Sequence, residues 1–146
     1  MMAALLALSP MAQAHHVLSD NDRFALYCLG ALQTASETLL HLYPGACPTG
    51  AEHGCASMRE TIVAIEDDRT AARRYLAAQF AERRGHTGRL LLTIRMGAIE
   101  QNRCLLWRLE KRGSSPAVGL PAHCQKVAAC RDLSGTLGSS RHSTPY

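Results

Sequence analysis

Ser19-Asp-Asn-Asp-Arg-Phe-Ala-Leu-Tyr-Cys-Leu-Gly-Ala-Leu-Gln-Thr-Ala-Ser-Glu-Thr-Leu-Leu-His-Leu-Tyr43 is the stretch that decides the fold. Ser19, Asp20 and Asn21 are all good N-caps, and Asp20 and Asp22 place negative charge at the positive end of a helix dipole. Phe24, Cys28, Ala31, Ala35, Leu39 and Leu42 then recur three and four residues apart, one apolar stripe on a helix over 19–43. Pro44-Gly45 marks its expected end, because the residue before a proline disfavours helix and glycine turns the chain.

The same period continues downstream. Residues 44–56 read as a Pro/Gly-rich loop holding Cys47 and Cys55, and Ser57-x-x-Glu60 reads as a capping box opening a second helix. Met58, Ile62, Ile65, Ala72, Leu76 and Phe80 mark its buried face, interrupted by Arg69, and Arg83-Arg84-Gly85 closes it. A third helix is expected from Thr87 to Arg112-Gly113, with Leu91, Ile94, Ala98, Gln101, Leu105 and Leu109 inward. Ser114 to Pro121 is a linker, a short helix over 123–133 carries Cys124 and Cys130, and the Ser/Gly/Thr-rich residues 134–146 are expected to form a disordered tail. No strand pattern competes. The expectation is an all-α, antiparallel three-helix bundle with a short C-terminal helix, stapled by disulfides, over residues 15–133.

Residues 1–14 are read apart from that domain. Ala3 to Leu8 form a short apolar run, followed by Pro10 and the small-x-small triplet Ala12-Gln13-Ala14, the pattern of a signal peptide cleaved after Ala14. No Lys or Arg precedes the run. Six cysteines, an even number with no C-x-x-C among them, agree with an oxidising compartment, so the protein is expected to be periplasmic or secreted. Cys47 and Cys55 sit at the two ends of one loop and should pair. Matching heights along an up-down bundle then favours Cys104–Cys124 and Cys28–Cys130 over the crossed alternative.

Composition bounds the rest. The 146 residues suffice for one domain, and 47% hydrophobic content with 19% charged residues excludes wholesale disorder. No apolar run is long enough for a membrane-spanning helix, so an integral membrane protein is not expected. Sixteen Lys and Arg against twelve Asp and Glu give a net charge of +4, which selects no partner class by itself.

The cations are unevenly placed. Between Arg69 and Arg95 lie Arg69, Arg73, Arg74, Arg83, Arg84, Arg89 and Arg95 against a single Glu82. Of these, Arg73, Arg74, Arg83, Arg84 and Arg89 form the candidate binding surface, suited to an anionic ligand or an acidic protein surface. Only Tyr75 and Phe80 are interleaved with them, too few for base stacking, so nucleic acid is not expected.

Cleavage after Ala14 would leave His15-His16 at the new terminus, where the α-amine and the His15 imidazole can chelate one metal ion with His16 assisting. These two residues resemble the histidine brace of secreted copper proteins, most of which are β-sandwiches. Beyond that copper site no cofactor is expected. The other histidines show no ligand spacing, Glu66-Asp67-Asp68 reads as a solvated face, and no nucleophile-elbow, phosphate-loop or dinucleotide fingerprint occurs. The functional expectation is an exported, non-enzymatic binding or inhibitor-type protein, with a copper-binding protein or enzyme using His15 as the alternative.

Overall fold

Ser19 is the residue that starts the first helix. In the computed structural model, which describes residues 18–47, 52–81, 87–111, 119–131 and 133–139, α1 runs Asp20–Ala46. The Ser19 hydroxyl oxygen accepts the Asp22 backbone N–H at 3.1 Å, while an Asp22 carboxylate oxygen accepts the Ser19 N–H at 3.0 Å. That reciprocal capping box satisfies two backbone donors that the first turn would otherwise leave bare.

Four helices follow: α2 (Glu52–Phe80), α3 (Thr87–Glu110), α4 (Ala122–Ala128) and α5 (Leu133–Ser139). α1 lies at the centre. It packs against both α2 and α3, while α4 packs on α3 and α5 on α2. Its buried residues Ala25, Leu26, Tyr27, Cys28, Gly30, Ala31 and Leu32 run almost without a break, as expected for a helix covered on two sides. Ile65, Ala72 and Leu76 of α2 meet them from one side, with Cys130, Leu133 and Leu137 completing the same core. α1 and α2 are antiparallel, since Asp22 meets Tyr75, Ser36 meets Glu66 and Tyr43 meets Arg59. The all-α bundle expected from the sequence is the fold.

The two backbones of α1 and α3 touch. A methyl group built on Gly30 would lie 1.9 Å from the Ile94 carbonyl oxygen, and one built on Gly97 would lie 1.9 Å from the Tyr27 carbonyl oxygen. Neither position has room for a side chain without moving a helix. This crossing also sets the rotation of α3. Its inward residues are Leu90, Ile94, Gly97 and Cys104, whereas Leu91 and Leu109, expected inward, are 62% and 46% exposed. Ile94 is inward as expected and Ala98, Gln101 and Leu105 are half-buried, so the stripe is displaced only at its ends. At the first of them Leu90 takes the inward place of Leu91, a shift of one residue or about 100° of rotation.

Several boundaries differ from those read in the sequence, each for a tertiary reason. α1 continues through Pro44 to Ala46, and the Cys47 N–H donates to the Tyr43 carbonyl at 2.8 Å. A proline in the last turn removes a single helical bond, which the Cys47–Cys55 staple tolerates. α2 begins at Glu52 rather than Ser57, so Ser57-x-x-Glu60 is not its cap and Cys55 is helical rather than in a loop. Asp68 is buried instead of solvated, its carboxylate accepting the Leu133 N–H at 2.9 Å at the start of α5. α5 is itself a correction. Leu133 and Leu137, four residues apart, are buried, so the chain does not become a structureless tail at 134.

All six cysteines are paired as expected: Cys28–Cys130, Cys47–Cys55 and Cys104–Cys124, with Cα separations of 5.2, 5.7 and 5.0 Å. Cys28–Cys130 joins residues 102 apart in sequence, Cys47–Cys55 only 8 apart. In the chain-entropy model these closures restrict the unfolded chain by about 4.7 and about 2.5 kcal/mol respectively. Serine replacement of the Cys28–Cys130 pair is therefore expected to lower the unfolding free energy by about 2 kcal/mol more than replacement of Cys47–Cys55, measured by urea titration.

The glycines give a sharper test. Gly30→Ala and Gly97→Ala are each expected to cost about 3 kcal/mol, because a backbone must yield. Gly45→Ala, where nothing lies within 4 Å of the added carbon, is expected to stabilise by about 0.5 kcal/mol through helix propensity. The three urea midpoints decide it: equal shifts at Gly30 and Gly45 would contradict the crossing.

Candidate functional site

Buried polar side chains are the first place to look for chemistry, and here they hold helices together. Tyr27, buried on α1, donates its hydroxyl to a Glu100 carboxylate oxygen of α3 at 2.5 Å. Lys126 of α4 reaches the same carboxylate oxygen at 3.8 Å, and its ammonium lies 4.5 Å from the centre of the Tyr27 ring. One ring, one carboxylate and one ammonium thus tie three helices. Burial above all, then the hydrogen bond to Glu100 and the negative charge of that group, push the Tyr27 pKa far above the ordinary tyrosine range. The phenol stays neutral at physiological pH and acts as a donor, not a nucleophile.

Asp22 and Glu66 are committed in the same way. Besides its capping bond, Asp22 accepts from the Tyr75 hydroxyl at 3.1 Å, which fixes α2 against the start of α1. Glu66 accepts from the Ser36 hydroxyl at 2.5 Å and pairs with Arg69 at 2.9 Å. Arg69, one of the seven arginines in the basic run, therefore belongs to the scaffold.

Arg73, Arg74 and Arg89 are different. Arg73 and Arg74 are exposed on α2 beside the buried Ala72, and Arg89 is exposed in the first turns of α3. No ion pair to any of the three occurs among the described residues. Arg83 and Arg84 lie outside the described residues, as do His15 and His16. No group of three or more His, Cys, Asp or Glu able to hold a metal occurs among the described residues. His123 Nε2 is buried and has no hydrogen-bond partner among the described residues, and the neighbouring Cys124 is in a disulfide.

Sequence periodicity does not reveal the outward face of α3. Leu91, Leu92, Met96, Ile99, Leu106 and Leu109 are all large, apolar and more than two-fifths exposed. Arg95 and Arg103 are exposed among them. The available signal is the number of leucines: α3 carries more large apolar residues than one packing stripe can use, so some must face out. A monomeric protein seldom shows a run of this kind without a use for it.

No protein-family model, no curated protein and no solved structure matches the chain. Among the described residues no helix is long and apolar enough to cross a membrane.

The Tyr27 environment predicts alkaline behaviour. The folded-state pKa is raised, so the stabilisation is complete below the unfolded value near 10 and is lost as pH rises above it. The urea midpoint of the native protein is expected to fall between pH 9 and pH 11. Tyr27→Phe should start lower and show a flatter decline over that interval.

Proposed function

We propose that this chain is an exported, non-enzymatic binding protein of the inhibitor type, which engages an anionic ligand or an acidic protein surface. The observation that supports this reading is the exposure of Arg73, Arg74 and Arg89 with no carboxylate partner among the described residues. A guanidinium keeps its charge at any physiological pH and presents a planar fork of donors suited to carboxylate or phosphate.

Two features of the scaffold support the same conclusion. Tyr27, Asp22, Glu66, Asp68 and Glu100 are committed to bonds between structural elements, which gives a rigid body rather than a set of groups poised for proton transfer. Three disulfides are compatible with an extracellular or periplasmic location, and the small-x-small triplet at Ala12-Gln13-Ala14 suits removal of a leader. A binding protein that must survive outside the cell needs rigidity and a charged surface more than a cavity.

The test is charge reversal. Immobilised wild-type protein and the triple variant Arg73→Glu/Arg74→Glu/Arg89→Glu would be presented with envelope extract from the producing cells. A saturable partner retained by the wild type and lost from the variant, with thermal unfolding within a few degrees for both, is the expected result. Retention at equal strength on both would remove the arginines from the site. Absence of any saturable partner would point to a purely structural envelope component.

A further inference from the structure

The outward face of α3 has a pattern as well as a composition. Positions 92, 96, 99, 103, 106 and 109 follow at three- and four-residue spacing, so neighbours in that row meet on the helix surface. The row reads Leu92, Met96, Ile99, Arg103, Leu106, Leu109, and Arg95 lies between Leu91 and Ile99 at the same spacing. From Leu91 to Leu109 it extends about 27 Å. Glu100, the one carboxylate in the middle of this helix, is turned inward to Tyr27 and Lys126, which leaves the outward row without negative charge before Glu110.

We infer that this face of α3 docks into an apolar groove on a partner protein, a groove whose walls carry carboxylates that meet Arg95 and Arg103. The proposal rests on the binding reading above and adds a partner chemistry to it. Charge complementarity selects the partner. Two guanidiniums set within an apolar row need carboxylates at matching positions once water is excluded, since an unpaired buried charge is far costlier than a paired one.

The same placement argues against two other occupants. A bilayer surface favours helices whose cations are segregated from the apolar face, whereas Arg95 and Arg103 interrupt it. In a symmetric antiparallel contact with a second copy centred on Ile99, Arg95 would face Arg103 of that copy, like charge on like. The partner's groove is then of the kind that receives one face of a helix at i, i+3, i+4 and i+7 anchors, with Leu92, Ile99 and Leu106 as the anchors seven residues apart.

Photo-crosslinking in intact producing cells tests this while the partner is still unidentified. Benzoylphenylalanine would be placed singly at Leu92, at Leu106 and, as a reference on α2, at Arg74. The expected outcome is an adduct at Leu92 and Leu106 with one protein, whose crosslinked peptide carries two or more Asp or Glu among apolar residues. Arg95→Glu/Arg103→Glu should lower its yield about tenfold with thermal unfolding unchanged.

An adduct joining two copies of this chain, or an adduct to its own residues 1–17, would overturn the inference. So would flotation with phosphatidylglycerol vesicles that the same reversal abolishes, which would make the occupant a membrane. Adducts from Arg74 alone would sink the α3 inference while leaving the binding reading intact. No adduct at any of the three positions would remove both.

Discussion

The backbone contact between Gly30 and Ile94, and its counterpart between Gly97 and Tyr27, is the constraint on which the remaining architecture depends. Each glycine in a helix interior costs about 1 kcal/mol relative to alanine, so the pair carries about 2 kcal/mol of intrinsic penalty. What offsets it is proximity. With the backbones in contact, Tyr27 reaches Glu100 of α3, and Ile94 lies against the α1 core. The crossing also places Cys28 and Cys104 where the segment around α4 can bridge to both, through Cys130 and Cys124. A side chain at either glycine would separate the helices and weaken these interactions together.

A second consequence concerns what fills the core. The sequence has two Phe and one Trp, and the largest fully buried side chains are Ile65 and Leu133, with cystine sulfurs and Ser36 among the others. Small residues allow close approach but bury little apolar area per contact. Stability must then come from elsewhere, and the structure supplies three cystines and a set of polar bonds between elements: Asp22 to Tyr75, Ser36 to Glu66, Tyr27 to Glu100 and Asp68 to the Leu133 N–H. Hydrogen bonds to ionised groups contribute about 1.5–3 kcal/mol each when desolvated, which is comparable to one buried leucine. Each of these bonds ties one element to another through a buried or half-buried polar group.

How much of this is legible without the fold depends on the residue. The three long helices, the Ser19 start and the Cys47–Cys55 pair can be read because period, caps and short cysteine spacing are local signals. Cys104–Cys124 and Cys28–Cys130 follow only once an up-down bundle is assumed and heights along it are matched. The rotation of α3 cannot be read. Leu91 and Leu109 look inward by hydrophobicity, and only the partner glycine on another helix makes Gly97 the centre of the interface. The α2 start is hidden for a similar reason: Ser57 and Glu60 read as a sound local cap, yet the helix already runs from Glu52 and carries Cys55, bridged to Cys47, in its first turn. At the C-terminal end, a Ser/Gly/Thr-rich composition hides Leu133 and Leu137, two residues whose spacing matters more than their neighbours. Of the candidate site, Arg73, Arg74 and Arg89 are legible as surface cations. The structural commitment of Arg69 is not, because its partner Glu66 reads as part of a solvated acidic run.

The glycine crossing and the exposed leucines of α3 are two sides of one arrangement. A helix of 24 residues that presents Gly97 and Cys104 to its neighbours has room on its inner face for few large groups, Leu90 and Ile94 among them. The remaining large apolar residues Leu91, Leu92, Met96, Ile99, Leu106 and Leu109 are left on the outer face. If folding alone had shaped α3, polar residues there would serve better, since each exposed leucine adds an aggregation hazard and nothing to the core. The placement of Leu92, Ile99 and Leu106 outside, with Arg95 and Arg103 set between them, is the arrangement that the proposed docking face requires. The rigidity imposed by the cystines serves the same end, because a preformed face loses less conformational entropy on docking than one that must first be ordered.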